Sequence, residues 1–254
     1  MFKLKDVESV LKKLQEDKYF AFCNEAHLQM SFINACYSKK YNEFFEFIPE
    51  YPIEIKRQWY KKDNSGRKIT KYYKQTVERT ETGFADLLIV DKNNQDKTII
   101  EFKYLTVNRD DLKSEKNIIL ENPCPFVKKY EPSRMLAHDQ RRFDCWSDIE
   151  RIEKLVKKSN FSNGYVIVIT NDDKYWNSAG THAMLSLKQG DYKPETKEWT
   201  CCEEDLLGKS DSFGKTRMRK IVIKNKYKIE YKDYSTFNVE KYGVYKYLVL
   251  KINR

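Results

Sequence analysis

Hydrophobic positions change period several times along the chain, and each change marks an element. Over residues 5–16, Val7, Val10, Leu11 and Leu14 recur at helical spacing. A second helix is expected from Asn24, a favourable N-cap, with Glu25 in its first turn and Leu28, Phe32, Ile33 and Cys36 on one face. Glu25 and Gln29 lie one turn apart and point the same way. Past Pro49 and Pro52 the pattern becomes strand-like. Residues 53–60 and 69–79 flank a turn signal at 62–66, which predicts a long hairpin. Residues 84–90 and 98–104 read as two further strands with a polar connection between them. After an irregular, proline-containing stretch, residues 136–158 form a helical pattern with Ala137, Phe143, Trp146, Ile149, Ile152 and Val156 on its apolar face. Residues 165–169 are almost wholly apolar, as in a strand buried on both faces. Strand, helix, strand in this order predicts a right-handed crossover onto a shared sheet. Residues 177–214 show no sustained period and read as a loop insertion. Residues 220–231 and 245–252 return to strands. The expected architecture is α/β, a mixed central sheet flanked by helices, in one domain over residues 1–254.

Composition narrows the function classes. With 254 residues, 40% of them hydrophobic and 14% aromatic, there is enough material for one substantial core, and a disordered chain is excluded. The formal charge of +10 points to an anionic partner, nucleic acid before a membrane surface. The charge is uneven. Residues 54–79 hold nine Lys or Arg against three acids, and residues 215–254 hold twelve against three. No apolar run reaches the length of a membrane span, and Met1-Phe2-Lys3-Leu4-Lys5-Asp6 does not open as a signal peptide, so a cytoplasmic location is expected. The six cysteines make no C-x-x-C pair and the three histidines have no metal-binding spacing, which argues for reduced thiols and against zinc.

The chemistry concentrates in Phe84-Ala85-Asp86-Leu87-Leu88 and Ile99-Ile100-Glu101-Phe102-Lys103-Tyr104. Two acids and a lysine sit in the most apolar strands, where a charge is costly to bury unless it is paired or binds a metal. Strand alternation puts Glu101 and Lys103 on one face, and an even-residue hairpin would bring Asp86 opposite one of them. Mg²⁺ or Mn²⁺ bound by Asp86, Glu101 and the carbonyl of Phe102 suits such a set, because a hard cation needs few protein oxygens beside water and phosphate. Lys103 would orient or deprotonate the attacking water, or stabilise charge on the phosphorane. Glu25 would add a water-mediated carboxylate.

At these residues the chain resembles the PD-(D/E)XK nuclease superfamily, whose motif is an acid, a gap, then (D/E)-x-K. Here Asp86 precedes Glu101-Phe102-Lys103, with Ala85 in place of the motif's proline. The chain is closer still to a group of bacterial proteins in that superfamily. That likeness runs through Glu25-x-x-x-Gln29, Glu50-Tyr51-Pro52, Ala137-His138-Asp139-Gln140-Arg141-Arg142-Phe143-Asp144, Asp148-Ile149-Glu150-Arg151-Ile152-Glu153 and Thr170-Asn171-Asp172. The resemblance implies a restriction-endonuclease-like fold and says little about substrate; the expected reaction is metal-dependent phosphodiester hydrolysis in DNA. It also implies that Gln140, Asp144, Asp148 and Arg151 hold the long helix against the active strands, with Gln140 reaching the site. Against this stands the plainer reading of these four as a solvated helix face.

The segment 54–79 interleaves Lys56, Arg57, Lys61, Arg67, Lys68 and Lys71 with Trp59, Tyr60, Tyr72 and Tyr73, a combination suited to phosphate contacts and base stacking. Arg57, Lys61, Arg67 and Lys68 are the expected nucleic-acid contacts. Two alternatives stay open: a non-catalytic nucleic-acid-binding module on the same fold, and a nuclease directed at RNA. The oligomeric state is undetermined by the sequence, a homodimer being admissible.

Overall fold

The elements follow from the patterns above. A computed structural model describes residues 1–17, 22, 24–60, 76–107, 138–157, 161–180, 185–192, 197–198, 219–236 and 242–254. Helix α1 (Leu4–Glu16) buries Val7, Val10, Leu11 and Leu14, the predicted stripe. Helix α2 (Glu25–Ser38) is capped by Asn24, whose side chain accepts the amide of His27 at 2.8 Å. A 3₁₀ turn (Tyr41–Glu43) leads into two long strands, β1 (Phe45–Tyr60) and β2 (Thr76–Asp91), followed by β3 (Lys97–Leu105). Helix α3 (His138–Val156) then returns the chain to β4 (Asn163–Thr170), which is buried along its whole length. The rest is short: α4 (Lys174–Asn177), β5 (Gly190–Tyr192), β6 (Lys197–Glu198), β7 (Arg219–Ile221), β8 (Tyr227–Ile229), β9 (Lys232–Thr236) and the longer β10 (Val244–Asn253).

The main sheet has the order β6-β7-β1-β2-β3-β4-β10-β9, and β5 pairs with β8 in a separate ribbon. Among the described strands only β3 and β4 run parallel; β1–β2, β2–β3 and β4–β10 are antiparallel. The protein is therefore mixed α/β, a mixed sheet with helices on both faces. On one face α1 and α2 cover Leu87, Ile89, Ile100, Phe102, Tyr165, Ile167 and Ile169. On the other, Phe143, Trp146, Ile149 and Ile152 of α3 cover Leu88, Val90, Ile99, Val166 and Val168. Helix α3 approaches closely at Gly164, where an added Cβ would fall 2.1 Å from a methyl of Ile152.

Three expectations need correction. Residues 76–91 form one continuous strand where two separate segments were expected, because β1 pairs with β2 from Tyr60↔Thr76 through to Phe45↔Asp91. Residues 220–231 are not one strand. Glu153 of α3 takes the amides of Lys224 and Asn225, each at 2.9 Å, and those bonds replace a sheet ladder between β7 and β8. The stretch 177–214 contributes structure in its described parts: β5, β6, and Leu185 and Leu187 buried in the core. The expected turn at 62–66, with Lys61, Arg67 and Lys68, lies outside the described residues.

Candidate active site

The ladder between β2 and β3 stops at Leu87↔Ile100, although the same register would set Asp86 opposite Glu101. On the other side of β2, the pairing with β1 skips Glu50, the position facing Asp86, and Glu50 takes a left-handed φ of 49°. That conformation is unusual for a residue with a Cβ. Asp86 thus sits where both neighbouring ladders are broken, and side chains complete the bonding. Gln29 Nε2 donates to the Asp86 carbonyl, and Asp86 Oδ2 accepts the amide of Phe102 at 2.6 Å. Breaking two ladders at one residue forgoes strand pairing there and leaves the bonding to side chains.

Glu25 reaches the same end of β3 from the N-terminus of α2. Its Oε1 is 3.0 Å from Lys103 Nζ, and its Oε2 accepts the Tyr104 amide at 3.3 Å. The N-cap at Asn24 therefore has a second consequence, since it fixes the turn from which Glu25 and Gln29 both project toward the end of β2. From the opposite face α3 supplies Asp148 and Arg151, one turn apart. Asp148 Oδ2 is 3.0 Å from Lys103 Nζ, and Asp148 Oδ1 is 2.8 Å from Arg151 Nη2. The same Arg151 nitrogen lies 2.6 Å from Glu101 Oε2, as an ion pair without hydrogen-bond alignment. The result is a chain of alternating charge: Glu25, Lys103, Asp148, Arg151, Glu101. The helix spacing of 148 and 151 matches the strand spacing of 103 and 101 with the signs reversed.

The electrostatics are those of carboxylates in excess. Four acids, Glu25, Asp86, Glu101 and Asp148, face two cations, Lys103 and Arg151, leaving −4 + 2 = −2 when all are ionised. Burial, helped by the charge of Glu25 and opposed by Lys103, pushes the Asp86 carboxyl up to about 6. Glu101 is wholly buried; burial and then repulsion from Asp148 raise it well above the usual carboxylate range, although Arg151 opposes this. For Lys103, burial favours the neutral amine, but Asp148, Glu25, Asp86 and Glu101 together outweigh it and hold the ammonium form. Glu101 Oε1 is buried and has no hydrogen-bond partner among the described residues. An orphaned buried carboxylate oxygen is an expensive feature unless something binds it.

Asp86, Glu101, Lys103 and Glu25 are brought together as the sequence reading expected. Gln140 is not part of the cluster: it is buried, its Oε1 is unbonded, and no hydrogen bond or ion pair among the described residues ties it to those four side chains. Asp148 and Arg151 take the place expected of it. The Phe102 carbonyl, expected as a metal ligand, accepts Lys103 Nζ at 2.9 Å. Arg57 lies on β1 opposite Arg79, toward the far end of the hairpin from the site. His138 at the start of α3 bonds Asp172 beyond the end of β4 at 2.6 Å, and Arg141 Nη1 donates to the Tyr104 carbonyl at 3.3 Å. These bonds fix the axial position of α3, and hence that of Asp148 and Arg151.

Among the described residues, no group of three or more His, Cys, Asp or Glu is gathered as a metal cage, and no helix is long and apolar enough to cross a membrane. The carboxylate pair Asp86 and Glu101 nevertheless fits a hard divalent cation, which binds through one or two carboxylates and keeps waters for the rest of its shell. No family model, no curated protein and no solved structure matches the chain.

Proposed function

We propose that the protein is a metal-dependent nuclease of the PD-(D/E)XK type, with the restriction-endonuclease-like fold, hydrolysing phosphodiester bonds in DNA. The observation that carries this reading is the early end of the ladder between β2 and β3. It stops one residue short of Asp86 and Glu101, and there a buried Glu101 oxygen without a donor among the described residues lies in a cluster where four carboxylates outnumber two cations. A structural ion-pair network would leave no buried carboxylate oxygen unbonded.

Asp86 and Glu101 would hold Mg²⁺ or Mn²⁺, which supplies Lewis acidity and lowers the pKa of a bound water. Lys103, gripped at 3.0 Å by carboxylates from two helices, is a poor proton acceptor and a good electrostatic partner for charge growing on the phosphorane. Of the two roles the sequence allows it, charge stabilisation is favoured over water deprotonation. Glu25 and Asp148 aim the ammonium, Gln29 fixes the backbone of Asp86, and Arg151 fixes Glu101. Arg57, Lys61, Arg67 and Lys68 are assigned to the phosphate backbone on composition and position in the chain alone.

The test is incubation with plasmid, linear and single-stranded DNA and with RNA, in Mg²⁺, Mn²⁺ or EDTA. Cleavage is expected with either metal and not with EDTA, and Asp86→Ala or Lys103→Ala should lower the rate on the order of 10²-fold or more while the fold persists. Cleavage of RNA alone would move the reading to a ribonuclease. Unchanged metal-dependent activity in folded Asp86→Ala protein would overturn the site assignment.

A further inference from the structure

Arg151 is the least expected member of the cluster. A carboxylate that binds a catalytic cation has little reason to carry a guanidinium, yet Arg151 Nη2 lies 2.6 Å from Glu101 Oε2 and 2.8 Å from Asp148 Oδ1. One nitrogen atom thus stands between oxygens of two carboxylates on two different elements. In sites with two metal ions, a second ion bridges carboxylates in this way a few ångströms from the first. The carboxylate oxygens divide accordingly. Glu101 Oε2 and Asp148 Oδ1 belong to Arg151, Asp148 Oδ2 and Glu25 Oε1 to Lys103, Glu25 Oε2 to the Tyr104 amide, and Asp86 Oδ2 to the Phe102 amide. That leaves Glu101 Oε1, buried and unpartnered, and Asp86 Oδ1, which takes no bond among the described residues.

We propose that Arg151 is a built-in second cation: its guanidinium permanently holds the place where a second divalent ion would bridge Glu101 and Asp148, so the site takes one exchangeable ion. The inference rests on the metal-dependent reading above and specifies its stoichiometry. Asp148 is then the positioning residue of the arrangement, because it is shared between the fixed cation and the Lys103 ammonium and sets the spacing between them.

The experiment counts bound ions directly. Mn²⁺ is titrated into the wild-type protein, Arg151→Gln and Arg151→Lys, and free aqueous Mn²⁺ is followed by its electron paramagnetic resonance signal. Folding of each variant is checked by its thermal transition. One ion per chain is expected for the wild type. Arg151→Gln, which empties the bridging position without adding charge, is expected to bind two, whereas Arg151→Lys keeps a cation there and should bind one. Two ions in the wild type would overturn the proposal even if Arg151→Gln failed to fold. One ion in both the wild type and Arg151→Gln would overturn the proposal and leave the metal-dependent reading standing. No ion in any of the three would overturn both.

Discussion

Glu153 and Glu101 are both buried glutamates within the layer between α3 and the sheet, and the protein treats them in opposite ways. Glu153 is filled. Its Oε1 accepts the Asn225 amide at 2.9 Å and the Tyr227 hydroxyl at 2.8 Å, and its Oε2 accepts the Lys224 amide at 2.9 Å. Those donors would otherwise be stranded between β7 and β8, so this carboxylate does the work of a missing strand. Glu101 has no hydrogen-bond donor among the described residues, one guanidinium beside one oxygen, and like charges from Asp148 and Asp86 nearby. The oxygens of the first carboxylate are spent on backbone and hydroxyl donors; those of the second are not. Burial alone therefore does not separate scaffold from site, whereas the bonding left over after burial does.

The comparison predicts opposite behaviour on substitution. Glu153→Ala orphans three donors, and the expected loss is about 3–5 kcal/mol in denaturant unfolding at about 1–3 kcal/mol per unsatisfied group, partly relieved by water. A loss below about 1 kcal/mol would mean that the segment after β7 is held by something else. Glu101→Gln mimics the neutral carboxyl that burial favours and should leave metal-free stability within about 1 kcal/mol of the wild type, or above it. The difference should emerge on adding Mn²⁺. At about 100 times its Kd the ion should stabilise the wild type by about 2.7 kcal/mol and leave Glu101→Gln unmoved, as read from melting temperatures. Equal shifts in the two proteins would remove Glu101 from the metal site.

The smallest effect is on pH dependence. The Asp86 carboxyl is raised from 3.8 to about 6 in the folded protein. Between those values the folded chain keeps a proton that the unfolded chain has released, so raising the pH through the window favours unfolding. The contribution of this group to metal-free stability should therefore be present below about pH 4 and fall, on the order of 1–2 kcal/mol, as pH rises to about 6. Urea titrations at pH 4, 5, 6 and 7 with wild type and Asp86→Asn would measure it. A wild-type profile as flat as the variant's would show that Asp86 is not held in a desolvated setting.

Much of this was legible before any coordinates. Periodicity located α1, α2, β3, β4 and β10 to within a residue or two, because each has one dominant buried face or is buried throughout. The alternation of Glu101 and Lys103 put them together, and the N-cap at Asn24 located Glu25. The ladder breaks at Asp86 were not legible, since they depend on the backbone of Glu50 and on a side chain, Gln29, from another element. Nor was the continuity of β2 through Thr80-Glu81-Thr82-Gly83, a polar run that looks like a connection until β1 is laid beside it. Asp148 and Arg151 hold α3 against β3, as the resemblance implied, but which residue of that helix face reaches the site depends on depth along α3, which no helical period fixes. The usable signal was present: an acid and a base three apart on a helix, complementary to a base and an acid two apart on a strand.

The close approach of α3 at Gly164 ties this chemistry to a position that carries no functional group. Ile152, whose methyl occupies the space a Cβ would need, is the next residue after Arg151. A single added methyl at 164 would work as a shim under the helix, lifting Asp148 and Arg151 from Lys103 and Glu101 together without replacing any charged residue. Contacts of 2.6–3.0 Å tolerate little of that. A chain with all its acids and bases intact could thus lose the site through one small residue in a strand, and a search for inactivating changes confined to charged positions would pass over it.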